Sequence, residues 1–154
     1  AVTAYEQTEF AYTENGQWQY CSSESYGRSG LAIYMRKRGQ QWKQEEEAPN
    51  LNYQIRCDGG TYDFWVLLRI DPASPSYLGV AADGNFVDRT LLYNSGKTWR
   101  YEAEQVWRWI PLAGLALSGG KHVLTLAVLA SGVRIDRLYL TRKGDRPPVD
   151  CSWE

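Results

Sequence analysis

Trp107-Arg108-Trp109, then Leu112, Leu115 and Leu117, Gly119-Gly120, the run His122-Val-Leu-Thr-Leu-Ala-Val and the run Gly132-Val-Arg-Ile-Asp136-Arg-Leu-Tyr-Leu140 form the stretch that decides the fold. Apolar residues recur with a period of two in both runs, which is the pattern of strands buried on one face. Gly119-Gly120 ahead of the first run and Ser131-Gly132 between the two read as turns, so the spacing predicts consecutive antiparallel strands. One residue breaks the pattern. Asp136 stands between Ile135 and Leu138, where a half-buried strand calls for an apolar side chain. A carboxylate buried there must be paired, hydrogen-bonded or bound to a metal.

Working outward, the same alternation recurs upstream. Leu31, Ile33 and Met35 share one parity, as do Leu51, Tyr53 and Ile55, and Tyr62, Phe64, Val66, Leu68 and Ile70 make the longest apolar stripe. Asp63, Trp65, Leu67 and Arg69 lie on the opposite face of that stripe. Asp71-Pro-Ala-Ser-Pro75 ends it, because proline cannot donate to a ladder. Leu78-Gly-Val80 is a further strand and Asp83-Gly84-Asn85 a hairpin signal. Only Gln44 to Ala48 could form a short helical turn. About eight or more short strands of this kind predict an all-β fold, a two-sheet antiparallel β-sandwich. Tyr62, Phe64, Val66 and Leu68 are expected to share its core with Leu124, Leu126 and Val128.

Charge and cysteine content narrow the functional classes. With 17 basic and 18 acidic side chains the chain has no electrostatic footprint for nucleic acid or an anionic membrane. No apolar run approaches the ~20 residues that cross a bilayer. No basic-plus-apolar leader opens the chain, so any targeting segment is expected to have been removed or to lie upstream in a larger polypeptide. Its 154 residues suit one domain, taken as residues 1–143, with Gly144-Asp-Arg-Pro-Pro-Val-Asp150 read as a linker opening a tail over 144–154. Cys21, Cys57 and Cys151 allow at most one internal disulfide, which permits secretion, and lack zinc-ligand spacing. Cys57 has core parity and reads as a core thiol; Cys21 and Cys151 are the pair to consider first for a bridge. His122 reads as a structural strand residue, with no serine or cysteine elbow to serve, and Glu45-Glu46-Glu47 as a solvated charge run.

Aromatic content points to a ligand. Seven Trp and eleven Tyr stand against three Phe. Phe fills a core as well as Trp does, whereas Trp and Tyr add a hydrogen-bonding edge to a flat apolar face. A pyranose matches that surface, with a C–H patch for stacking and hydroxyls for Asn, Asp, Arg or Gln. Trp65 and Trp109 read as packing residues, Trp18 and Trp42 as evenly divided between packing and exposure. Residues 85–105 are the least regular part and combine turn formers with aromatics and cations, the composition of a functional loop. The candidate sugar site is therefore Trp99 and Trp107 as stacking rings, with Tyr93, Asn94 and Arg100 as polar orienters.

The closing pattern, Trp107-x-Trp109, then Gly120-x-His122-x-Leu124-x-Leu126, then Ile135-Asp136-x-Leu138, resembles the last strands of galactose-binding-like β-sandwich modules, notably the family 35 and family 6 carbohydrate-binding modules. Gly27-Arg28-Ser29-Gly30, Ala48-Pro49-Asn50-Leu51, Gly59-Gly60-Thr-Tyr62 and Asp83-Gly84 follow the order such modules show, and look most like the C-terminal domain attached to family 115 glycoside hydrolases. The resemblance covers most of residues 5 to 142. It implies a jelly roll and a non-catalytic, monomeric module that binds a polysaccharide or oligosaccharide and sits beside the catalytic domain of a secreted, extracellular enzyme. It also implies an early-loop tyrosine, Tyr34 or Tyr26, facing the sugar opposite the tryptophan. A structural calcium would be held by Glu6, Glu9 and Asp136, although the two glutamates lie three residues apart where the family pattern has two. Without the metal, Arg134, Arg137 or backbone amides would answer Asp136. Two other classes stay open: an accessory domain that packs on its catalytic neighbour without binding sugar, and a small β-sandwich polysaccharide lyase or hydrolase.

Overall fold

The computed structural model describes residues 2–3, 18–22, 31–35, 50–70, 76–93, 107–131 and 133–147. Among them run ten strands: β1 (Val2–Thr3), β2 (Trp18–Ser22), β3 (Leu31–Met35), β4 (Asn50–Cys57), β5 (Gly60–Ile70), β6 (Ser76–Ala82), β7 (Asn85–Tyr93), β8 (Arg108–Leu117), β9 (Gly120–Ser131) and β10 (Val133–Arg142). One sheet has the order β2-β3-β10-β5-β8, with β1 also on β10; the other has the order β4-β9-β6-β7. Every pairing is antiparallel. The described residues contain no helix, and the two-sheet sandwich is the architecture that the alternation predicts. Gln44 to Ala48 lie outside the described residues.

The core forms where the stripes meet. Tyr62, Phe64, Val66, Leu68 and Ile70 of β5 are buried with Leu124, Leu126 and Val128 of β9, and the same cluster includes Leu51, Leu78, Val80, Ile110, Leu115 and Leu138. Burial of such side chains stabilises by roughly 1.5–3 kcal/mol each. The strands β8, β9 and β10 do follow one another antiparallel in sequence, but they do not pair with each other. Ser118-Gly119 carries the chain from the first sheet to the second, and the link after Ser131 carries it back. Asp58-Gly59 crosses in the opposite sense to Ser118-Gly119, from β4 in the second sheet to β5 in the first. The two links touch: a Cβ on Gly59 would lie 3.2 Å from the Gly119 backbone nitrogen, so a side chain there displaces backbone. Asp83 (φ 51) and Gly84 (φ 84) are both left-handed, the geometry of a type I′ hairpin turn, and join β6 to β7 within one sheet.

Two slips of period turn out to be bulges. The core residues of β10 are Val133 and Ile135, then Leu138 three positions on, and the register against β5 shifts between Ile135 and Arg137. Asp136 is the extra residue that lets both apolar neighbours keep facing the core. On β8, Leu112 and Ala113 are both buried beside the register shift at Phe64/Trp65. Trp65 and Trp109 lie half-buried on the outer face of the first sheet and not between the sheets. The Trp65 indole N–H donates to Thr141 Oγ1 at 3.0 Å, and Trp109 meets Tyr139 edge to face at 6.1 Å. Cys57 is a free, half-buried thiol against the core; Cys21 lies on β2 and Cys151 outside the described residues.

The short links 58–59, 83–84 and 118–119 and the turn after β10 gather at one end of the sandwich, the turn end. β5, β7 and β9 end, and β6, β8 and β10 begin, at the other, the loop end. Beyond β10 the chain folds back: the Gly144 amide donates to Asp63 Oδ2 at 3.1 Å, the Asp145 amide to the Arg142 carbonyl at 3.0 Å, and Pro147 is buried. Residues 148–154 lie outside the described residues. Replacement of Leu126 by Ala at the centre of the core should lower the unfolding free energy by about 2–5 kcal/mol in urea titrations. Val123→Ala, on the outer face of the same strand, should change it by less than about 0.5 kcal/mol. Equal effects at the two positions would contradict the assigned faces of β9.

Candidate functional site

The predicted sugar-site residues divide between described and undescribed parts. Register carries Tyr34 of β3 opposite Arg134 of β10, which stands opposite Arg69 of β5. Trp107 is half-buried immediately before β8, whose Arg108 pairs with Leu68. Tyr93 ends β7 opposite Ser76, itself opposite Ser131. Three of the six residues thus share the loop end of the sandwich. Asn94, Trp99 and Arg100 lie outside the described residues.

Of the expected calcium ligands, Asp136 is fully buried at 0% exposure, at the bulge of β10. β1 lies directly beside it, with Thr3 opposite Arg137 and Val2 opposite Leu138. Glu6 and Glu9 lie outside the described residues. The described residues therefore supply one buried carboxylate of the expected set, and among them no group of three metal-ligating side chains gathers.

At the turn end the structure assembles a polar cluster that sequence reasoning missed. The β6–β7 turn sets Asp83 against the start of β9. The Asp83 amide donates to the Val123 carbonyl at 2.8 Å and the Val123 amide donates to Asp83 Oδ1 at 2.9 Å. The other carboxylate oxygen, Oδ2, accepts from His122 Nδ1 at 2.6 Å, while His122 Nε2 lies 2.7 Å from the Ser118 carbonyl oxygen. Both ring nitrogens face acceptors, an arrangement fully satisfied only when both carry protons, so it favours the imidazolium. The Asp83 hydrogen bond, followed by the bond to Ser118, raises the His122 pKa above its ordinary 6.5. The His122 bond, followed by the Val123 amide, holds Asp83 below its ordinary 3.8. The sequence signals were the Asp-Gly turn and the lone histidine, 39 residues apart, with nothing local to pair them.

Ser118, His122 and Asp83 invite comparison with a nucleophilic triad, and the geometry rejects it. A general base must hold an unprotonated nitrogen toward the hydroxyl. Here Nε2 is committed to the carbonyl of Ser118, and the Ser118 hydroxyl stands off at 3.5 Å. The cluster clasps three elements together. Beside it opens a cleft of about 480 Å³ lined by Gln54, Ile55 and Arg56 of β4, Lys121, His122 and Val123 of β9, and Asp83.

Residues 2–149 match the family model described as the glycosyl hydrolase family 115 C-terminal domain. No curated protein sequence matches the chain. Among solved structures it is similar to the carbohydrate-binding module CBM6cm-2 of Cellvibrio mixtus lichenase 5A in complex with cellotriose, with TM-score 0.63 and 13% identity over 92% of this chain and 95% of that one. It is also similar to a family 35 carbohydrate-binding module from Clostridium thermocellum, with TM-score 0.59 and 14% identity over 82% of this chain and 88% of that one. A third similar structure is the Podospora anserina GH26-CBM35 β-(1,4)-mannanase, with TM-score 0.59 and 15% identity; the match covers 86% of this chain and 26% of that one, so the chain spans about a quarter of that enzyme. At these identities the likeness is one of fold.

The clasp sets a pH dependence with two limbs. A raised histidine pKa contributes stability that is present below 6.5 and lost as pH rises through the folded-state value. A lowered aspartate pKa contributes stability that is present above 3.8 and lost as pH falls through the folded-state value. The His122 ring protons, followed by NMR, should therefore titrate with a midpoint above 6.5, and Asp83→Asn should bring it down. A wild-type midpoint at or below 6.5 would mean that the ring is not the cation the geometry favours.

Proposed function

The chain belongs to the glycosyl hydrolase family 115 C-terminal domain family, and from that membership we propose that it is a non-catalytic carbohydrate-binding module of a larger, secreted polysaccharide-degrading enzyme. The observation that carries the reading is the family match together with a sandwich shared, over nearly the whole of both chains, with a module solved in complex with cellotriose. The commitment of His122 Nε2 to a carbonyl argues in the same direction, against the hydrolase or lyase alternative.

In this reading Trp99 and Trp107 stack on the C–H face of a pyranose, Tyr93, Asn94 and Arg100 orient its hydroxyls, and Tyr34 or Tyr26 faces the sugar from the other side. The register supports it by bringing Tyr34, Tyr93 and Trp107 to one end. The monomeric module holds its catalytic neighbour near the polymer, and tethering raises the local concentration of substrate without a new catalytic group. A structural calcium held by Asp136 with Glu6 or Glu9 ties the first strand to the last; the buried carboxylate beside β1 supports this part. The rival reading, an accessory domain that packs on the enzyme without sugar, is favoured by one observation. Trp65, Trp109 and Tyr139 are half-buried together on the outer face of the first sheet, a surface suited to covering by a neighbouring domain.

Sugar binding is expected with Kd on the order of 0.1–1 mM, because few contacts form and water competes for every hydroxyl. Trp107→Ala and Trp99→Ala should each weaken it by about 1–3 kcal/mol, beyond a practical titration range, in calorimetry against plant cell-wall and host glycans. Folded variants that bind as wild type remove these rings from the site, and a wild type that binds no glycan favours the accessory domain. Thermal melts test calcium: chelator should lower the melting temperature, and an unchanged melt with no metal by elemental analysis leaves Asp136 a hydrogen-bonded structural acid.

A further inference from the structure

We infer that the turn end of the sandwich carries a second, anion-selective site, in which Arg56 and Lys121 bind the anionic group of an acidic sugar, a carboxylate or a sulfate. The inference rests on the reading of the chain as a sugar-binding module. It concerns the end of the fold opposite Trp107 and Tyr34.

Arg56 of β4 and Lys121 of β9 stand directly opposite each other in the antiparallel ladder. Both are exposed and share the outer face with Gln54 and Val123. Like charges in that relation repel and destabilise the pair of strands. A carboxylate between or beside them would remove the penalty, yet among the described residues neither cation has an ion-pair partner. Two acids are close by. Asp83 lines the same cleft, but its two oxygens are engaged by His122 and by the Val123 amide. Asp58 lines the adjoining hollow with Arg56 and forms no ion pair with it.

The only other opposed cationic pair among the described β5–β10 partners is Arg69 with Arg134, and there Arg134 has a partner of its own. Arg56 and Lys121 are different in being left together and unanswered. His122 and Asp83 also line the cleft but are engaged with each other, so Arg56 and Lys121 are the two cations left to a ligand.

The remaining lining suits a sugar better than a free ion. Gln54 offers an amide for hydroxyls, and Val123, 37% exposed, offers an apolar patch for ring C–H groups. The cleft, at about 480 Å³, falls in the range of ligand sites, roughly 300–1,000 Å³. Guanidinium matches a carboxylate or a sulfate through paired N–H donors, and the lysine adds a mobile point charge. Because the clasp of Asp83, His122 and Ser118 fixes the start of β9 to two neighbouring turns, the backbone under both cations is held before any ligand arrives.

The test uses the full chain, labelled for two-dimensional amide NMR, with three probes at low salt: trigalacturonate, a sulfated carrageenan tetrasaccharide and neutral cellotriose. At least one acidic probe should shift the amides of Gln54, Arg56, Lys121 and Val123, and the effect should weaken as salt rises. Binding of both would show that charge alone is read, and binding of one would identify carboxylate or sulfate as the group taken. The doubly substituted Arg56→Gln, Lys121→Gln chain, with its fold checked by thermal melting, should lose about tenfold or more in affinity for the acidic probe and keep whatever neutral-glycan binding the wild type has. No shift at these amides with either acidic probe, or equal affinity in the double variant, overturns the inference. If neutral glycans still bind at the Trp107 end in that case, the module reading stands and this site alone fails. If no glycan of any kind binds, both fail.

Discussion

The burial of alternate residues of β5 against alternate residues of β9 is the constraint on which the rest of the molecule depends. Each strand lies inside its own sheet, β5 between β10 and β8 and β9 between β4 and β6, so each can lay a full stripe of side chains on the other. A slip of one residue in either would turn every apolar group outward. The remaining strands are arranged to protect that register. β8 and β10 take up bulges where their own apolar spacing changes, and the buried carboxylate of Asp136 is a consequence of one of them. An acid at that position is tolerable because the bulge takes it out of the core stripe while Ile135 and Leu138 remain in it.

The clasp at the turn end shows how the same three residue types can serve chemistry or architecture. Serine, histidine and aspartate in sequence of contact are the parts of a nucleophilic relay, and what separates the two uses is where the second imidazole nitrogen points. Directed at a carbonyl, it must carry a proton and cannot accept one from a hydroxyl. The ring then becomes a cationic bridge between the β6–β7 turn and the β8–β9 link. The close approach of Gly59 to Gly119 brings the Asp58-Gly59 link into the same knot. The part of the turn end formed by these three short links is thus stiffened by hydrogen bonds, and its charges are set on a fixed frame.

Much of this fold was legible in the sequence because period-two burial writes itself into residue order. Tyr62 to Ile70 and Leu124 to Val128 could be assigned their faces, and Asp83-Gly84 its hairpin, from local pattern alone. The three-residue step from Ile135 to Leu138 also carried the bulge, although it reads first as an anomaly of charge. Sheet membership was not legible. Strands that pair and strands that cross between sheets have the same alternation, so β8, β9 and β10 look like a meander. Trp65 and Trp109 have the bulk of core residues but the parity of the outer face, and parity decides. The candidate sugar site was legible only as composition: Tyr34 and Tyr93 come from two separate strands and Trp107 from the residue before a third, and no local rule says that their ends coincide. The contact of Asp83 with His122 left no sequence pattern, since each residue also has an ordinary local role.

A sandwich of this kind separates its two ends physically. In the links 58–59, 83–84 and 118–119 every residue is within two positions of the ladder, so a side chain there inherits the rigidity of the strands. That rigidity has an electrostatic consequence. Arg56 and Lys121 cannot relax apart by moving backbone, since each is held in register by its neighbours and by the clasp beside them. They can relieve their repulsion through side-chain rotation into water or through an anion shared between them. Rotation alone leaves two long side chains free, whereas a shared anion uses the fixed spacing of the ladder to hold both, and this difference is the physical basis of the anion preference proposed for the turn end.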